Sequence, residues 1–251
     1  MLVLFDIDGT LLKTRGAGIH AMLLAARELH PGGNFSFDGI NISGRLDTLI
    51  WRDLLSNAGI DPSTSDHAAF RRMYGEHLRR CFEGEWQSEA LVGAIALVEA
   101  VAQTARVDAG LLTGNYEHTG LLKVERAGFN TARFRYNAWA DDGTTRRDLP
   151  AVAIARHAHG RPAAIDASKV VIICDTPLDI DCAHANGCRA IAVATGAHPS
   201  AELASHSPDL LVDDLSETDK ILGWITANGR RPEESKNSGA ALSGLRDRNE
   251  A

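Results

Sequence analysis

The sequence has little of what marks nucleic-acid-binding, membrane-spanning or disulfide-stabilised proteins. No run of basic residues is longer than two, and the net charge is −7, which argues against nucleic acid or an anionic membrane as a main partner. The hydrophobic runs are far shorter than the roughly 20 residues of a membrane span. The four cysteines have no zinc-binding spacing, so we expect them to be reduced and buried.

An amino-terminal secretion signal is also not expected. The chain reaches the acidic Asp6 before any useful length of apolar sequence accumulates. Together with the reduced cysteines, this predicts a cytoplasmic protein.

The composition is that of a helix-rich α/β enzyme. The chain has 251 residues, 44% of them hydrophobic and 6% aromatic, which is enough for one α/β core and a smaller second domain. After about residue 90, short apolar runs alternate with helical patterns, and this predicts a parallel, doubly wound sheet. We expect the core to comprise residues 1–15 and 90–227. Residues 16–89 show only helical patterns and form a predicted inserted domain, and residues 228–251 form a predicted disordered tail.

The hydrophobic periodicity places the individual elements. The predicted strands are 2–5, 107–113, 170–174, 190–194 and 210–212. The predicted helices are 20–30, 46–58, 67–82, 93–104, 116–127, 149–158 and 178–186.

Polar residues cluster where three of the predicted strands end. Because the carboxyl ends of parallel strands form the ligand crevice of an open α/β sheet, clusters far apart in sequence can converge there. The three clusters are Asp6, Asp8 and Thr10; Thr113, Gly114 and Asn115; and Asp175 and Asp179.

The acidic members of these clusters predict a divalent metal site. Asp6 and Asp8 lie two residues apart on an extended segment, so both point the same way. Close carboxylates repel each other, and a hard cation such as Mg²⁺ relieves that repulsion while leaving room for a phosphate. Any single Asp at a strand end could instead cap a helix or a turn.

Three segments resemble the motifs of the haloacid dehalogenase-like (HAD) hydrolase superfamily. Residues 5–12 (Phe-Asp-Ile-Asp-Gly-Thr-Leu-Leu) resemble its first motif and residues 111–115 (Leu-Leu-Thr-Gly-Asn) its second. Residues 170–179 are similar to its fourth. The resemblance implies a Rossmann-like core, a mobile cap and an aspartyl-phosphate mechanism. The helical insertion resembles the cap of the phosphoglycolate-phosphatase-like branch.

The resemblance implies a role for each acidic residue. Asp6 is the expected nucleophile at phosphorus, and Asp8 the expected acid and base. The metal ligands implied for Mg²⁺ are Asp6, the backbone carbonyl of Asp8, and Asp175. Asp179 is expected as a further ligand or as a partner of one.

The remaining motif residues are expected to bind the substrate. Thr113, with the backbone amides around Gly114 and Asn115, would hold the phosphoryl oxygens where charge shifts. Thr10 is a further candidate for substrate contact.

The sequence departs from the family pattern at two points. The Lys-Pro pair that usually supplies a third-motif cation is missing; Arg146 takes its place in our prediction, with Lys123 next and Arg147 also open. Each of these could instead be a solvated helix charge, and we expect a large activity loss for Arg146→Ala but a small one for Lys123→Ala. The second departure is Cys174, where the family commonly has Gly; its thiol could narrow the site or make it oxidisable.

One segment of the insertion is a candidate for substrate contact. Arg45, which follows a glycine at a predicted helix start, could hold a distal carboxylate or phosphate. An Arg45–Asp47 surface pair is the alternative. Lys13 and Thr14 lie where the chain enters the insertion and could form a hinge or rim.

The predicted function is that of a Mg²⁺-dependent phosphatase acting on a small phosphorylated metabolite. A sugar phosphomutase is the main alternative, because it would share every motif and differ only in retaining the phosphoryl group. A dehalogenase is disfavoured, since it has no use for the acid Asp8. A receiver-like phospho-acceptor or an inactive scaffold is a further alternative. The substrate and the oligomeric state are left open.

Overall fold

Five parallel strands form the central sheet of the structure, a computed structural model that describes residues 1–227. The predicted tail, residues 228–251, lies outside the described residues. The strands are β1 Leu2–Phe5, β4 Asp108–Leu111, β5 Val170–Cys174, β6 Arg189–Val193 and β7 Leu210–Val212. The strand order is β4-β1-β5-β6-β7, so β1, the first strand of the chain, lies between β4 and β5.

The strands are mostly apolar because both faces of the sheet are covered. In β1, Leu2 and Leu4 join one hydrophobic cluster, whereas Val3 and Phe5 join the other. This alternation is the period of two that places successive side chains on opposite faces. The helices of the core are α4 Ala94–Gln103, α5 Glu117–Arg126, α6 Leu149–Ala158, α7 Pro177–Ala185, α8 Ser200–Ser205 and α9 Thr218–Thr226. Helices α6, α7 and α8 contribute to the first cluster, and α4, α5 and α9 to the second.

Three helices form an insertion between two very short strands. The strands β2 (Leu12–Lys13) and β3 (Glu89–Ala90) pair antiparallel, so the chain leaves and re-enters the core at one ribbon. The helices are α1 Ala17–Leu29, α2 Asp47–Asn57 and α3 His67–Glu83. Trp51 of α2 stacks on Phe70 of α3 with 3.7 Å between ring centroids. This aromatic contact gives the insertion an apolar interior of its own.

The predicted doubly wound α/β sheet is confirmed. The predicted strands and helices occur with shifts of a few residues at their ends, as expected where caps and not periodicity decide a boundary. Sequence reasoning missed β2 and β3, which are too short to show a period, and also α8 and α9. Within residues 1–227, no helix combines the length and the apolar character that a membrane span requires.

Candidate active site

The three polar clusters meet at the carboxyl ends of adjacent strands. Asp6 follows β1, Thr113 lies just after β4, and Asp175 follows β5 directly. Because β1 lies between β4 and β5, these ends line one edge of the sheet. The strand order therefore brings together residues that are far apart in the sequence.

Asp6 is buried and paired with Arg146. The guanidinium Nη2 donates to Asp6 Oδ1 at 2.8 Å and lies 2.6 Å from Asp179 Oδ1. The side chains of Asp6, Arg146 and Asp179 are 7%, 8% and 0% exposed. Burial raises the pKa of Asp6 to about 6, and the charge of Arg146 opposes that rise only in part. One arginine therefore neutralises two buried carboxylates incompletely.

Asp175 adds a third buried carboxyl group to the same place. Its Oδ1 accepts a hydrogen bond of 3.0 Å from Thr10 Oγ1. Burial, with the nearby charge of Asp6, raises the pKa of Asp175 well above its usual value. Carboxylate oxygens of Asp6, Asp175 and Asp179 lie within 4.8 Å of one another. A cluster of oxygen donors with too little positive charge fits a hard divalent cation such as Mg²⁺.

Two glycines allow loops to approach Asp175. A Cβ atom on Gly9, which has φ of 86°, or on Gly196 would collide with the Asp175 carboxyl group. Thr195 Oγ1 donates to the Gly9 carbonyl oxygen at 2.6 Å and ties the two loops together. The loop after β6 therefore completes the acidic site, although sequence reasoning did not single it out. The signal was available, because Thr195 and Gly196 follow a predicted strand end.

Asp8 belongs to a second network, which also lines the cavity. Its Oδ2 accepts hydrogen bonds from Lys123 Nζ at 2.7 Å and from Asn115 Nδ2 at 2.8 Å. Lys123 also donates to Asn115 Oδ1 at 2.6 Å, and Asn115 Nδ2 donates to Thr113 Oγ1 at 2.8 Å. The Asp8 carboxyl group is therefore separate from the cluster of three carboxylates. Any metal ligand that Asp8 supplies would have to be its backbone carbonyl.

The three candidate cations take different positions. Arg146 and Lys123 are both buried, and each contacts its own carboxylate. The alternative that either is a solvated helix charge is wrong, because packing against the strand ends removes both from water. Arg147 pairs at 2.7 Å with the exposed Asp181 and so lies away from the site.

Thr10 does not reach the cavity with its side chain. Thr10 is fully buried, and its hydroxyl group donates a hydrogen bond to Asp175. The prediction that Thr10 binds substrate is therefore wrong for the side chain, which instead orients a carboxyl group.

Arg45 and Asp47 do not form the surface pair considered from the sequence. Arg45 Nη1 instead contacts Asp53 Oδ2 at 2.5 Å, and Asp53 lies eight residues further along the chain. Asp47 is buried; its amide donates to the Gly114 carbonyl oxygen at 2.7 Å, and its Oδ2 accepts from the Tyr116 amide at 3.2 Å. Asp47 therefore links the insertion to the loop after β4.

The environment of Asp47 changes its acidity. Burial raises the pKa of this carboxyl group to about 7, against the opposing charge of Lys123 and the hydrogen bond from Tyr116. Sequence reasoning missed this role because nothing in a short Arg-x-Asp segment indicates which of the two side chains is buried.

Cys174 lies in the core and not in the cavity. Cys174 is the last residue of β5, and its side chain is fully buried in the first of the two hydrophobic clusters. Burial raises the pKa of its thiol well above the usual value. A thiol that stays protonated and shielded from solvent resists oxidation. The concern that Cys174 narrows the site or makes it oxidisable is therefore wrong.

A cavity of about 470 Å³ joins the two networks to the insertion. Its core side includes Asp6, Asp8, Lys123, Arg146 and Asp175. Its other side is built from residues of the insertion, among them Arg45 and Asp47. The volume is that of a site for a small molecule.

Residues 148–218 match the family model of HAD-hydrolase-like proteins. The chain carries a HAD-like hydrolase domain. The match covers the segment from α6 to the start of α9, and with it Asp175, directly after β5, and Asp179, in the first turn of α7. The predicted HAD-like family and the prediction of a HAD-like enzyme are confirmed.

Solved structures of HAD-like proteins share the fold over nearly the whole chain. CbbY from Rhodobacter sphaeroides in complex with phosphate is 20% identical, with a TM-score of 0.67 over 86% of this chain and 95% of that chain. β-Phosphoglucomutase from Clostridium difficile is 15% identical, with a TM-score of 0.62 over 90% and 97%. A predicted phosphoglycolate phosphatase from Haemophilus somnus 129pt is 18% identical, with a TM-score of 0.63 over 88% and 97%. A search of the curated proteins finds no match.

Proposed function

We propose that this protein is a Mg²⁺-dependent phosphatase that hydrolyses a small phosphorylated metabolite through an aspartyl-phosphate on Asp6. The observation that carries the proposal is the setting of Asp6. It is a buried carboxylate that lines a cavity of small-molecule size, beside one arginine and two further carboxylates. A carboxylate can act as a nucleophile towards phosphorus when its charge is balanced by cations that also attract the phosphate.

The metal would be held by side-chain oxygens of Asp6, Asp175 and Asp179, with the backbone carbonyl of Asp8 as a proposed fourth ligand. When bound, Mg²⁺ would lower the repulsion between carboxylate and phosphate and withdraw charge from the phosphoryl oxygens. The residues fit this role because their carboxyl groups converge and Arg146 alone leaves them under-neutralised.

The first half-reaction joins phosphorus to Asp6. A carboxylate oxygen of Asp6 attacks phosphorus while the bond to the leaving alkoxide breaks, and the alkoxide takes a proton from Asp8. Arg146 stabilises the charge shared by Asp6 and the phosphoryl group, because its guanidinium already contacts Asp6 at 2.8 Å.

The second half-reaction returns Asp6 to its starting state. Asp8, now a carboxylate, takes a proton from water as the water oxygen attacks phosphorus, and the bond to Asp6 breaks. Among residues 1–227, no donor contacts Asp8 Oδ1, so that oxygen is free for these proton transfers. Thr113 and the amides of Gly114 and Asn115 are proposed to hold the phosphoryl oxygens, and Gly114 and Thr113 line the cavity.

The insertion is proposed to act as a cap over a core made of residues 1–15 and 90–227. It covers the cavity from the side opposite the strand ends, and the short β2–β3 ribbon is its connection to the core. A cap that excludes water during the first half-reaction favours transfer to Asp6. These features support a phosphoglycolate-phosphatase-like organisation, and we propose a cytoplasmic location.

A sugar phosphomutase is the second candidate. The fold shared with β-phosphoglucomutase supports it, and its first half-reaction would use the same residues. The two activities differ in the fate of the phosphoryl group on Asp6. A phosphatase passes it to water within a turnover, whereas a mutase passes it to a second sugar phosphate.

The test is hydrolysis of 4-nitrophenyl phosphate by the full chain. We expect phosphate release with Mg²⁺, none with EDTA, and recovery when Mg²⁺ is restored in excess. Undiminished turnover in EDTA would contradict metal dependence. A radiolabelled phosphoenzyme that persists for minutes in water, and that a hexose monophosphate discharges, would favour the mutase.

A further inference from the structure

We propose that the substrate is a phosphomonoester whose organic group is apolar and carries no second anionic group. This inference rests on the proposed function, and it concerns the half of the cavity that the insertion builds. The core half of the cavity has the charged groups that a phosphate requires. The insertion half has a different character.

The insertion lines its half of the cavity with large apolar side chains. They come from α1, α2, α3 and the loop between α1 and α2, so they form one continuous wall and not a single side chain. They are Ile19, Met22, Phe37, Ile42, Ile50 and Tyr74. A wall of this kind recognises a ligand by removing apolar surface from water.

Two members of this wall are exposed to solvent. Ile19 and Ile42 are each 37% exposed, and only a few large apolar side chains of residues 1–227 are as exposed as these. A third exposed side chain, Leu178, lies beside the same loop, because a Cβ on Gly44 would contact Leu178. Exposed apolar side chains grouped at a cavity mark a binding surface, whereas scattered ones do not.

The charges beyond the phosphate position disfavour a second anion. Arg45 lines the cavity, but its guanidinium is already paired with Asp53 and donates to the Asn41 carbonyl oxygen at 3.2 Å. Lys13 also lines the cavity, but its side chain is exposed and its charge is screened by water. Asp47, a buried carboxyl group in the same wall, would repel an anion when ionised.

These observations revise the expectation that Arg45 holds a distal carboxylate or phosphate. An anionic end would have to displace Asp53 from Arg45 or rely on the solvent-screened charge of Lys13, and it would also meet an apolar wall. An alkyl or alicyclic group instead buries apolar surface against the wall and leaves the Arg45–Asp53 pair intact.

The first experiment measures binding of n-alkylphosphonates to the Mg²⁺-loaded full chain by calorimetry. These probes present a phosphate-like head that the enzyme cannot cleave. We expect the dissociation constant to fall by up to about fourfold for each methylene added from methyl to pentyl. Phosphonoacetate should bind more weakly than propylphosphonate. Equal affinity along the alkyl series, or tighter binding of phosphonoacetate, would overturn the proposal.

The second experiment uses variants of the wall and a matched control. Ile19→Ser and Ile42→Ser should each flatten the chain-length dependence, so that pentylphosphonate loses more affinity than methylphosphonate. Ile95→Ser is the control, because Ile95 is 40% exposed on α4 and does not line the cavity. A dependence that survives in the Ile19→Ser/Ile42→Ser double variant, with its melting temperature unchanged, would also overturn the proposal.

The same probes separate this inference from the proposed function. Chain-length-dependent binding without any phosphate release from hexyl phosphate or 4-nitrophenyl phosphate would remove the phosphatase and keep the apolar site. Fast phosphate release from 4-nitrophenyl phosphate, together with equal affinity along the alkylphosphonate series, would keep the phosphatase and overturn the apolar site.

Discussion

The two ion pairs of the site line one cavity and differ in their access to water. In the pair of Arg146 with Asp6, the side chains are 8% and 7% exposed. In the pair of Lys123 with Asp8, the lysine side chain is 6% exposed but the carboxylate is 42% exposed. Both cations are buried, whereas only one of the two carboxylates, that of Asp6, is buried.

This difference matches the division of labour that the proposed mechanism requires. A nucleophile must be held in one position with its charge balanced, and burial beside Arg146 and Asp179 does both. A group that gives a proton to a leaving group and takes one from water must meet both, and the exposure of Asp8 allows that. The predictions below test whether the Arg146–Asp6 pair and the Lys123–Asp8 pair have separate roles.

The largest effect is expected at Asp6. Asp6→Asn removes the nucleophile and should abolish both turnover and phosphoenzyme, whereas Asp8→Asn should still form phosphoenzyme from 4-nitrophenyl phosphate but hydrolyse it slowly. Asp181→Asn is a control at an exposed carboxylate that pairs with Arg147 and should change turnover less than about threefold. Acid-quench trapping of the radiolabelled enzyme measures all three. Equal trapping in Asp6→Asn and the wild type would show that another residue is the nucleophile.

The next effect is expected at Arg146. Arg146→Met leaves Asp6 and Asp179 without their cation, and kcat/KM should fall about a hundredfold or more. The loss of a buried partner can also destabilise the fold by about 3–5 kcal/mol, so Arg146→Lys, which keeps the charge, is measured beside it.

Arg147→Met is the matched control for Arg146, because its pair with Asp181 is exposed. It should change kcat/KM less than about threefold. If Arg146→Met, shown to be folded by its melting curve, lost no more activity than Arg147→Met, Arg146 would not be the third-motif cation.

A smaller and more selective effect is expected at Lys123. The sequence predicts a small loss for Lys123→Ala, but the structure shows a buried amino group on Asp8 and Asn115, so we now expect a loss of about tenfold for an alkyl phosphate. Nitrophenolate leaves without a proton, so the loss in phosphoenzyme formation from 4-nitrophenyl phosphate should be less than threefold. Lys123→Arg should recover part of the loss. A loss equal for both leaving groups would mean that Lys123 does not act through Asp8.

Much of the fold and part of the site could be predicted from the sequence. The apolar runs located the strands, and polar residues at their ends located the cavity, because both signals are local in the chain. The direction of a long side chain is not local. Lys123 lies on a helix whose periodicity is satisfied whether its amino group points to solvent or to Asp8, so only the packing of α5 in the folded protein decides its direction.

Asp47 shows the same limit in the insertion. Arg45 and Asp47 lie two residues apart, and the sequence offered a pair between them as one alternative. In the structure, the side chain of Asp47 is instead buried in the interface with the loop after β4. Arg45 forms its ion pair with Asp53, further along α2. The docking of two units decides which partner each charge takes, and a single sequence does not contain that docking.

The smallest effect on turnover is expected at Asp47, where the stability of the protein should change with pH instead. Burial raises the pKa of this group to about 7, from a usual value of 3.8, so the folded state holds a proton that the unfolded chain releases. Between these two values the unfolded state binds fewer protons, and the contribution of Asp47 to stability falls as pH rises; above about 7 it stays at its lower value. Asp47→Asn keeps an oxygen acceptor for the Tyr116 amide but cannot ionise.

The metal-free Asp47→Asn variant should therefore melt several degrees above the wild type at pH 8, and the difference should shrink towards zero near pH 4. Asp6 and Asp175 also hold raised pKa values, but they are present in both proteins and cancel in the difference. Asp53→Asn, at a more exposed carboxylate on the same helix, is the control and should not show this pH-dependent gain. Turnover of 4-nitrophenyl phosphate should change less than about threefold. A difference between Asp47→Asn and the wild type that is the same at pH 4 and pH 8 would mean that Asp47 is ionised in the folded protein throughout, with Lys123 as its effective partner.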